Sequence, residues 1–440
     1  MVIKDERYMS ISDKFEIFLS NLKITNEQQI SLRYGEITAA LNKEFRDTES
    51  KTANSLQVGS YGRWTAIKGV SDLDMLYIMP AKKWDEFNVA GGQSKLLEKT
   101  KKVILDRYPR TDIYVDSPVV RVLYSNFHVE VQPVFEQADG SFKYPDTSDG
   151  GSWKTTKPRE EIKEISKVDQ EKNRNLRRLC KMVRAWKNKH GFYMGGLLID
   201  TLAHKFICST DFYDNKSYLY YDYLSRDFFK YVSELPEQAY YAALGSGQRV
   251  KVKKKFQSAA KKAYELCLDA IAAEGKEIES EKWRKVYGQP FPAAERATKS
   301  SLESISSNAR YDDTEQFIEY KFPIDIRSEV RIECEVSQDG FRVSLLRDLI
   351  AKRFRLSVSK GLRFYIEKCS VQEPYRVYWK VLNRGAEAER RNCIRGQIVS
   401  DSGHKQISEH TDFNGDHIVE CYIVKNEVVV AKDRIHVPIQ

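Results

Sequence analysis

The sequence lacks any run of about 20 apolar residues, the length a membrane-spanning helix requires. Its opening, MVIKDERYMSISDKFEIF, is charged within its first few positions and has neither the apolar stretch nor the small-residue cleavage site of a secretory signal. Both absences predict a cytoplasmic protein with no membrane contact. The seven cysteines (Cys180, Cys208, Cys267, Cys334, Cys369, Cys393 and Cys421) are odd in number and widely spaced, and no two form a C-x-x-C pair. That excludes the usual zinc and dithiol signatures and predicts reduced, mostly buried thiols. His404, His410 and His417 also lack zinc-like spacing. No internal repeat is visible.

What is present describes a globular protein: 41% hydrophobic and 31% charged residues over 440 positions. Such a length favours two or three packed units, large enough to bury an active-site cleft. A net charge of +9 is modest, so it points to anionic ligands only where basic residues concentrate.

Up to residue 50 the apolar positions (Phe15, Ile17, Phe18, Leu22, then Ile30, Leu32) recur at helical spacing, with Asp13 and Asn26 as candidate caps. From Ser55 to Phe135 the texture changes to short β-branched runs at 75–79, 112–116, 118–124 and 127–135, with one amphipathic helix at 95–108. Residues 136–160, rich in Asp, Gly, Ser, Thr and Pro, read as a long loop. A helical region follows to about 286, in which Leu176, Leu179, Cys180 and Val183 share an apolar face. Beyond Tyr311 about six alternating segments predict a β-sandwich, the last two joined by a tight hairpin at Lys425 and Asn426. The expected division is 1–165, a sheet-bearing core with amino-terminal helices; 166–295, a helical lobe; 296–312, a linker; and 313–440, a β-rich domain.

Chemistry is concentrated in VGSYGRWTAIKGVSDLDMLYIM, residues 58–79. Gly59 allows close backbone approach to a phosphate, and Ser60 offers a hydroxyl and an amide to its oxygens. A helix after that turn would favour negative charge at its start. Ser71-Asp72-Leu73-Asp74 then enters a strand, with Ser71 a further candidate contact for the triphosphate beside Gly59 and Ser60, and alternation puts Asp72 and Asp74 on one face and Leu73 and Met75 in the core. In FHVEVQPVF, His128, Glu130 and Gln132 share one face, and Glu130 is a third carboxylate on a second strand. Three hard oxygen donors suit Mg2+, with Mn2+ as an alternative. A lone D-x-D pair is more often a solvated strand end; the combination with G-S upstream and an acid on a later strand is far more specific.

This combination resembles the nucleotidyltransferase superfamily that includes polymerase beta, and more narrowly the bacterial CD-NTases of antiphage (CBASS) signalling. The segment 175–207 is similar to these enzymes, and YWKVLNRGAEA, RGQI and the segment 417–439 are similar to the adenylyl/guanylyl and SMODS sensor domain often fused to them. The resemblance implies an α+β fold: a polymerase-beta-like nucleotidyltransferase core with a helical lobe, followed by a small β-sandwich-like domain. It also implies synthesis of a cyclic di- or trinucleotide from nucleoside triphosphates, and a downstream effector protein that reads the product. The third acid here is Glu130 where Asp is more usual, which keeps charge and alters reach. Using the same carboxylates, the chain could instead add one nucleotide to an RNA end, an antibiotic or a protein. In a third reading it is an inert transferase fused to a working nucleotide sensor.

Arg177, Lys181 and Arg184 recur at helical spacing and could clamp a triphosphate, a role the resemblance implies most clearly for Lys181. Tyr218, Tyr220, Tyr221 and Tyr223 offer stacking surfaces for a base, against the alternative of core packing. Lys251, Lys253, Lys254, Lys255, Lys261 and Lys262 are expected on a helix, either as a solvated face or as a nucleic-acid contact. In the last domain Trp379 reads as core, and Asn383, Arg384, Arg395, His417 and Arg434 either stabilise loops or bind a nucleotide.

Overall fold

The computed structural model describes residues 9–69, 72–125, 127–293 and 316–440, the last range without 317, 319–320, 323–325, 327, 339–342, 384–385, 392 and 394. The linker expected at 296–312 and most of the strand expected at 319–326 lie outside the described residues. Two compact units are present, one within residues 1–47 and 56–299, the other within 48–55 and 300–440.

The first unit starts with α1 (Ile11–Asn21) and α2 (Glu27–Arg46). Asp13 is not the cap of α1: Ser10 caps it, and Asp13 at the third helical position reaches back to complete a capping box. Asn26 precedes α2 without a side-chain cap bond. After β1 (Ser55–Gln57), the one-turn α3 (Gly59–Gly62) and β2 (Asp72–Ile78) come α4 (Trp84–Phe87), α5 (Gly92–Arg107) and the strands β3 (Asp112–Asp116), β4 (Val119–Leu123) and β5 (His128–Glu136). The sheet order is β1-β2-β5-β4-β3, with β2 and β5 parallel and β4 antiparallel to both its neighbours.

The expected loop at 136–160 contains a hairpin instead, β6 (Phe142–Asp146) paired with β7 (Ser152–Thr156) and extending from β5. Its Asp, Gly and Ser residues make the turn at 147–151, while the largely solvated β7 has too few apolar residues to show strand alternation. One face of the sheet is dry: Leu73, Met75, Val129 and Val131 pack with Ile37, Leu41 and Phe45 of α2 and Leu96, Leu97 and Ile104 of α5. The other face therefore carries the polar alternates of β2 and β5.

Helices α6 (Pro158–Glu171), α7 (Asn175–His190), α8 (Gly196–Cys208) and α9 (Tyr221–Glu234) follow, then a short hairpin of β8 (Tyr240–Ala242) and β9 (Arg249–Lys251), then α10 (Gln257–Ile271) and α11 (Glu279–Tyr287). Pro158 starts α6, where its missing amide hydrogen costs nothing, and Gly191 ends α7 in the left-handed conformation. Leu176, Leu179, Cys180 and Val183 are buried together with Trp186, Trp283 and Tyr287. Phe15 and Phe18 of α1 insert into this same cluster, edge-on to Trp283 and tilted against Tyr287 respectively, so α1 belongs to the helical core while α2 belongs to the sheet.

In the second unit, β10 (Val330–Ser337), β11 (Ser344–Leu345), β12 (Gly361–Cys369) and β15 (Gln406–His410) form one antiparallel sheet in the order β11-β10-β12-β15. A second contains β13 (Arg376–Leu382), β14 (Arg395–Ser400), β16 (Gly415–Lys425) and β17 (Val428–Ile439) in the order β14-β13-β16-β17. Ile332, Cys334 and Phe364 from the first meet Trp379, Cys421 and Ile435 from the second in one core. The last hairpin turns at Asn426 and Glu427, not at Lys425, and both turn residues have positive φ as a two-residue turn of this hand demands. All seven cysteines are free thiols, four of them buried.

Candidate active site

Register brings the carboxylates together. Asp74 of β2 lies opposite Glu130 of β5, and Asp72 lies opposite His128. Between them, His128 Nε2 is 3.4 Å from Asp72 Oδ1 and 3.5 Å from Glu130 Oε1. On the far side Arg121 of β4, the antiparallel partner of Glu130, reaches its Oε1 at 2.8 Å and Asp116 Oδ2 at 3.0 Å. Burial and then the charge of Glu130 push the Asp74 carboxyl up to about 6, with Asp72 adding to the effect and Arg63 and His128 opposing it.

Gly59 acts here in a way the motif did not suggest. Its φ is +62°, and a Cβ built on it would stand 1.7 Å from Asp74 Oδ2. The glycine makes room for the carboxylate itself. The helix expected after it is a single turn, Gly59–Gly62, closed when Thr65 and Ala66 donate their amides to the Ser60 carbonyl at 2.9 and 3.1 Å.

Two adjoining clefts meet at Asp74. The larger, about 490 Å³, is lined by Gly59, Ser60, Asp72, Asp74, Arg63, Lys68 and Gln132, with Arg184, Lys187 and Asn188 from α7. The smaller, about 290 Å³, shares Asp74 and Gln132 and adds Asp116, Ser117, Arg121 and Glu130. Each has the size of a small-molecule site.

Of the residues expected to hold a triphosphate, Gly59 and Ser60 line the larger cleft, Ser71 lies outside the described residues, and Lys181 is not part of the lining. Arg184 lines it, but its guanidinium already holds Asp200 at 2.6 and 3.0 Å and the carbonyls of Cys180 and Gly196. Arg177 is buried and bonds the Arg63 carbonyl and Ser166, which makes it a tie between helices and not a clamp. Sequence reasoning missed Lys68 and Lys187. Lys187 stands one turn beyond Arg184 on α7, a spacing that could have found it. Among the described residues neither lysine has an ion-pair partner.

None of the four tyrosines lines either of these two clefts. Tyr221 is buried and donates to Asn175, while Tyr218, Tyr220 and Tyr223 lie under the cations of Arg178, Lys216 and Arg226. The basic run is not one helix: Lys251 ends β9, Lys253 to Lys255 occupy the connection, and Lys261 and Lys262 are on α10, all of them exposed. In the second unit Trp379 is buried and donates to Asp401, Asn383 bonds the Cys393 carbonyl, Arg395 pairs with Glu409 and His417 packs edge-on to Phe413. Arg434 sits on β17 opposite Glu420, and Arg384 is outside the described residues.

The donor set suits a hard divalent cation. Three carboxylates share one polar face, burial and then the charges of Glu130 and Asp72 raise Asp74, and a cation would relieve the part that comes from repulsion. Among the described residues no group of three or more His, Cys, Asp or Glu side chains is placed to hold a metal ion, and Arg121 and His128 lie against Glu130 at 2.8 and 3.5 Å. No helix among the described residues is long and apolar enough to cross a membrane.

Residues 9–169 match the family of Second Messenger Oligonucleotide or Dinucleotide Synthetase domains, and residues 312–440 match the Adenylyl/Guanylyl and SMODS C-terminal sensor domain. No curated protein sequence matches the chain. Among solved structures it is similar to Escherichia coli MS115-1 CdnC with ATP (14% identity, 65% of this chain and 99% of that one, TM-score 0.48). It is also similar to the Vibrio cholerae DncV cyclic AMP-GMP synthase (14%, 56% and 70%, 0.43) and to the Bradyrhizobium diazoefficiens CD-NTase CdnG with GTP (10%, 67% and 98%, 0.47).

Proposed function

We propose that this chain, which belongs to the CD-NTases through its synthetase domain and its C-terminal sensor domain, joins nucleoside triphosphates into a cyclic di- or trinucleotide with release of pyrophosphate. The observation that carries the reading is the meeting of two clefts at Asp74, with Asp72 bordering only the larger and Glu130 only the smaller. A donor triphosphate fits the side lined by Asp72, Ser60, Lys68 and Lys187. The acceptor nucleotide fits the side lined by Glu130 and Arg121, so its hydroxyl meets the donor at the shared carboxylate.

Asp72, Asp74 and Glu130 would hold Mg2+, or Mn2+ in its place. Bound there, such a cation would supply Lewis acidity toward the attacking hydroxyl and charge neutralisation for the pyrophosphate that leaves. Ser60 donates its hydroxyl to a phosphate oxygen, and Lys187 and Lys68, which have no ion-pair partner among the described residues, supply positive charge where the triphosphate is most negative. Gly59 keeps Asp74 from being displaced. Ring closure needs the linear intermediate to rebind with its ends exchanged, which two clefts sharing one carboxylate accommodate. The product serves as a second messenger for an effector protein in antiphage defence.

Purified protein incubated with labelled triphosphates and Mg2+ tests this. A small, phosphatase-resistant product that disappears with Asp72→Asn/Asp74→Asn is expected. Label on a macromolecule, or product formation that survives the double substitution, refutes it.

A further inference from the structure

Asp200 stands in the apolar stretch LLIDTLAHKFI of α8 with 0% of its side chain exposed. A carboxylate there is tolerated only if it is fully partnered. Its Oδ2 accepts from Arg63 Nε at 2.8 Å, from Thr65 Oγ1 at 3.0 Å and from Arg184 Nη2 at 3.0 Å, and its Oδ1 accepts from Arg184 Nη1 at 2.6 Å. Arg63 also holds Glu161 of α6 at 3.0 Å. The two arginines and two carboxylates cancel in charge, so this cluster adds little attraction for phosphate.

Its connections are what matter. Arg63 and Thr65 belong to the turn that carries Ser60: the Thr65 amide donates to the Ser60 carbonyl at 2.9 Å and the Arg63 amide to the Gly59 carbonyl at 3.1 Å. Arg184 lies one turn before Lys187 on α7, and both line the larger cleft. One buried carboxylate therefore ties the turn bearing Ser60 on one wall to the helix bearing Lys187 on the other. We infer that Asp200 is a positioning residue that fixes the spacing between these walls, and through it the grip on a triphosphate. Burial alone would raise its carboxyl, yet Arg184 and Arg63 hold it at about 2, so the tie stays anionic at working pH. This inference rests on the triphosphate reading of the cleft.

The test uses the full chain and a non-hydrolysable ATP analogue, with binding measured by calorimetry beside steady-state turnover. Asp200→Asn keeps the shape and loses the charge. Its expected effect is analogue binding weaker by about tenfold and kcat/KM lower by up to ~100-fold, the loss that a misplacement of about 1 Å can produce. The loss should not be additive with Arg184→Met, since both break one tie. Wild-type affinity in folded Asp200→Asn, or fully additive losses, overturns the inference. Where Asp200→Asn does not fold, Thr65→Val removes a single bond to the same oxygen and should weaken binding in the same direction; unchanged binding there also overturns it. Failure of the wild-type chain to bind the analogue would instead remove the functional reading.

Discussion

Asp74 and Asp200 belong to the same unit, both are drawn away from water, and their carboxyls move in opposite directions. Asp74 is pushed up to about 6 by burial and by Glu130, while Asp200 is held at about 2 because Arg184 and Arg63 overcome the effect of burial. The difference shows that burial sets the size of the electrostatic problem and the partners set its sign. Around Asp200 every oxygen is satisfied within the chain, as a structural carboxylate requires. Around Asp74 burial is reinforced by the charges of Glu130 and Asp72 and only partly opposed by Arg63 and His128, and a substrate-bound cation would relieve that repulsion.

Asp74→Asn should break the comparison most sharply. Product formation should fall by at least ~10³-fold, consistent with losing several kcal/mol of charge stabilisation at the reacting centre. The melting temperature should hold or rise, because the substitution removes a like-charge contact. A melting temperature that drops along with activity would mean the carboxylate is structural. Asp200→Ala should behave in the opposite manner: removing one partner of a buried ion network costs about 3–5 kcal/mol, read as a lower denaturant midpoint. An unchanged midpoint would show that the arginines find other partners.

Gly59→Ala joins the two regions, since it adds a methyl where Asp74 Oδ2 now sits. Activity should fall by about 100-fold, with a stability loss of only about 1 kcal/mol or somewhat more from the positive φ. Near-normal turnover would show that the carboxylate can shift without consequence.

The smallest effects are in pH dependence. Asp74 has a raised folded value, so its contribution to stability without added metal is complete below the ordinary 3.8 and is lost as pH rises through about 6. Asp200 has a depressed value, so its contribution is present above 3.8 and is lost as pH falls toward about 2. Urea titrations across this range should show Asp74→Asn flattening the upper window and Asp200→Asn the lower. Slopes that do not change would contradict the opposite shifts.

Much of this was legible in one dimension. Asp72, Leu73, Asp74 and Met75 alternate between polar and apolar, as do Glu130 and its neighbours, and alternation on a strand is a local property that survives whatever the strand packs against. The helical core residues around Cys180 were legible for the same reason. The hairpin at 142–156 was not, because a solvated strand loses the apolar half of its pattern. Ser60 could be placed at the cleft turn from its residue type, and Lys187 could have been reached by stepping one turn on from Arg184, but Lys68 sits in no periodic pattern that would separate it from other surface cations.

Arg184 marks the boundary most clearly. Helical spacing placed it on a basic face, and it does reach the cleft wall. Only the packing of α8 against α7, however, put a buried carboxylate within 2.6 Å of it, while Lys187, one turn on, has no ion-pair partner among the described residues. Local periodicity decides which face of an element a residue occupies. Which charges neutralise one another depends on distances between elements far apart in the chain, and those exist only once the chain has folded.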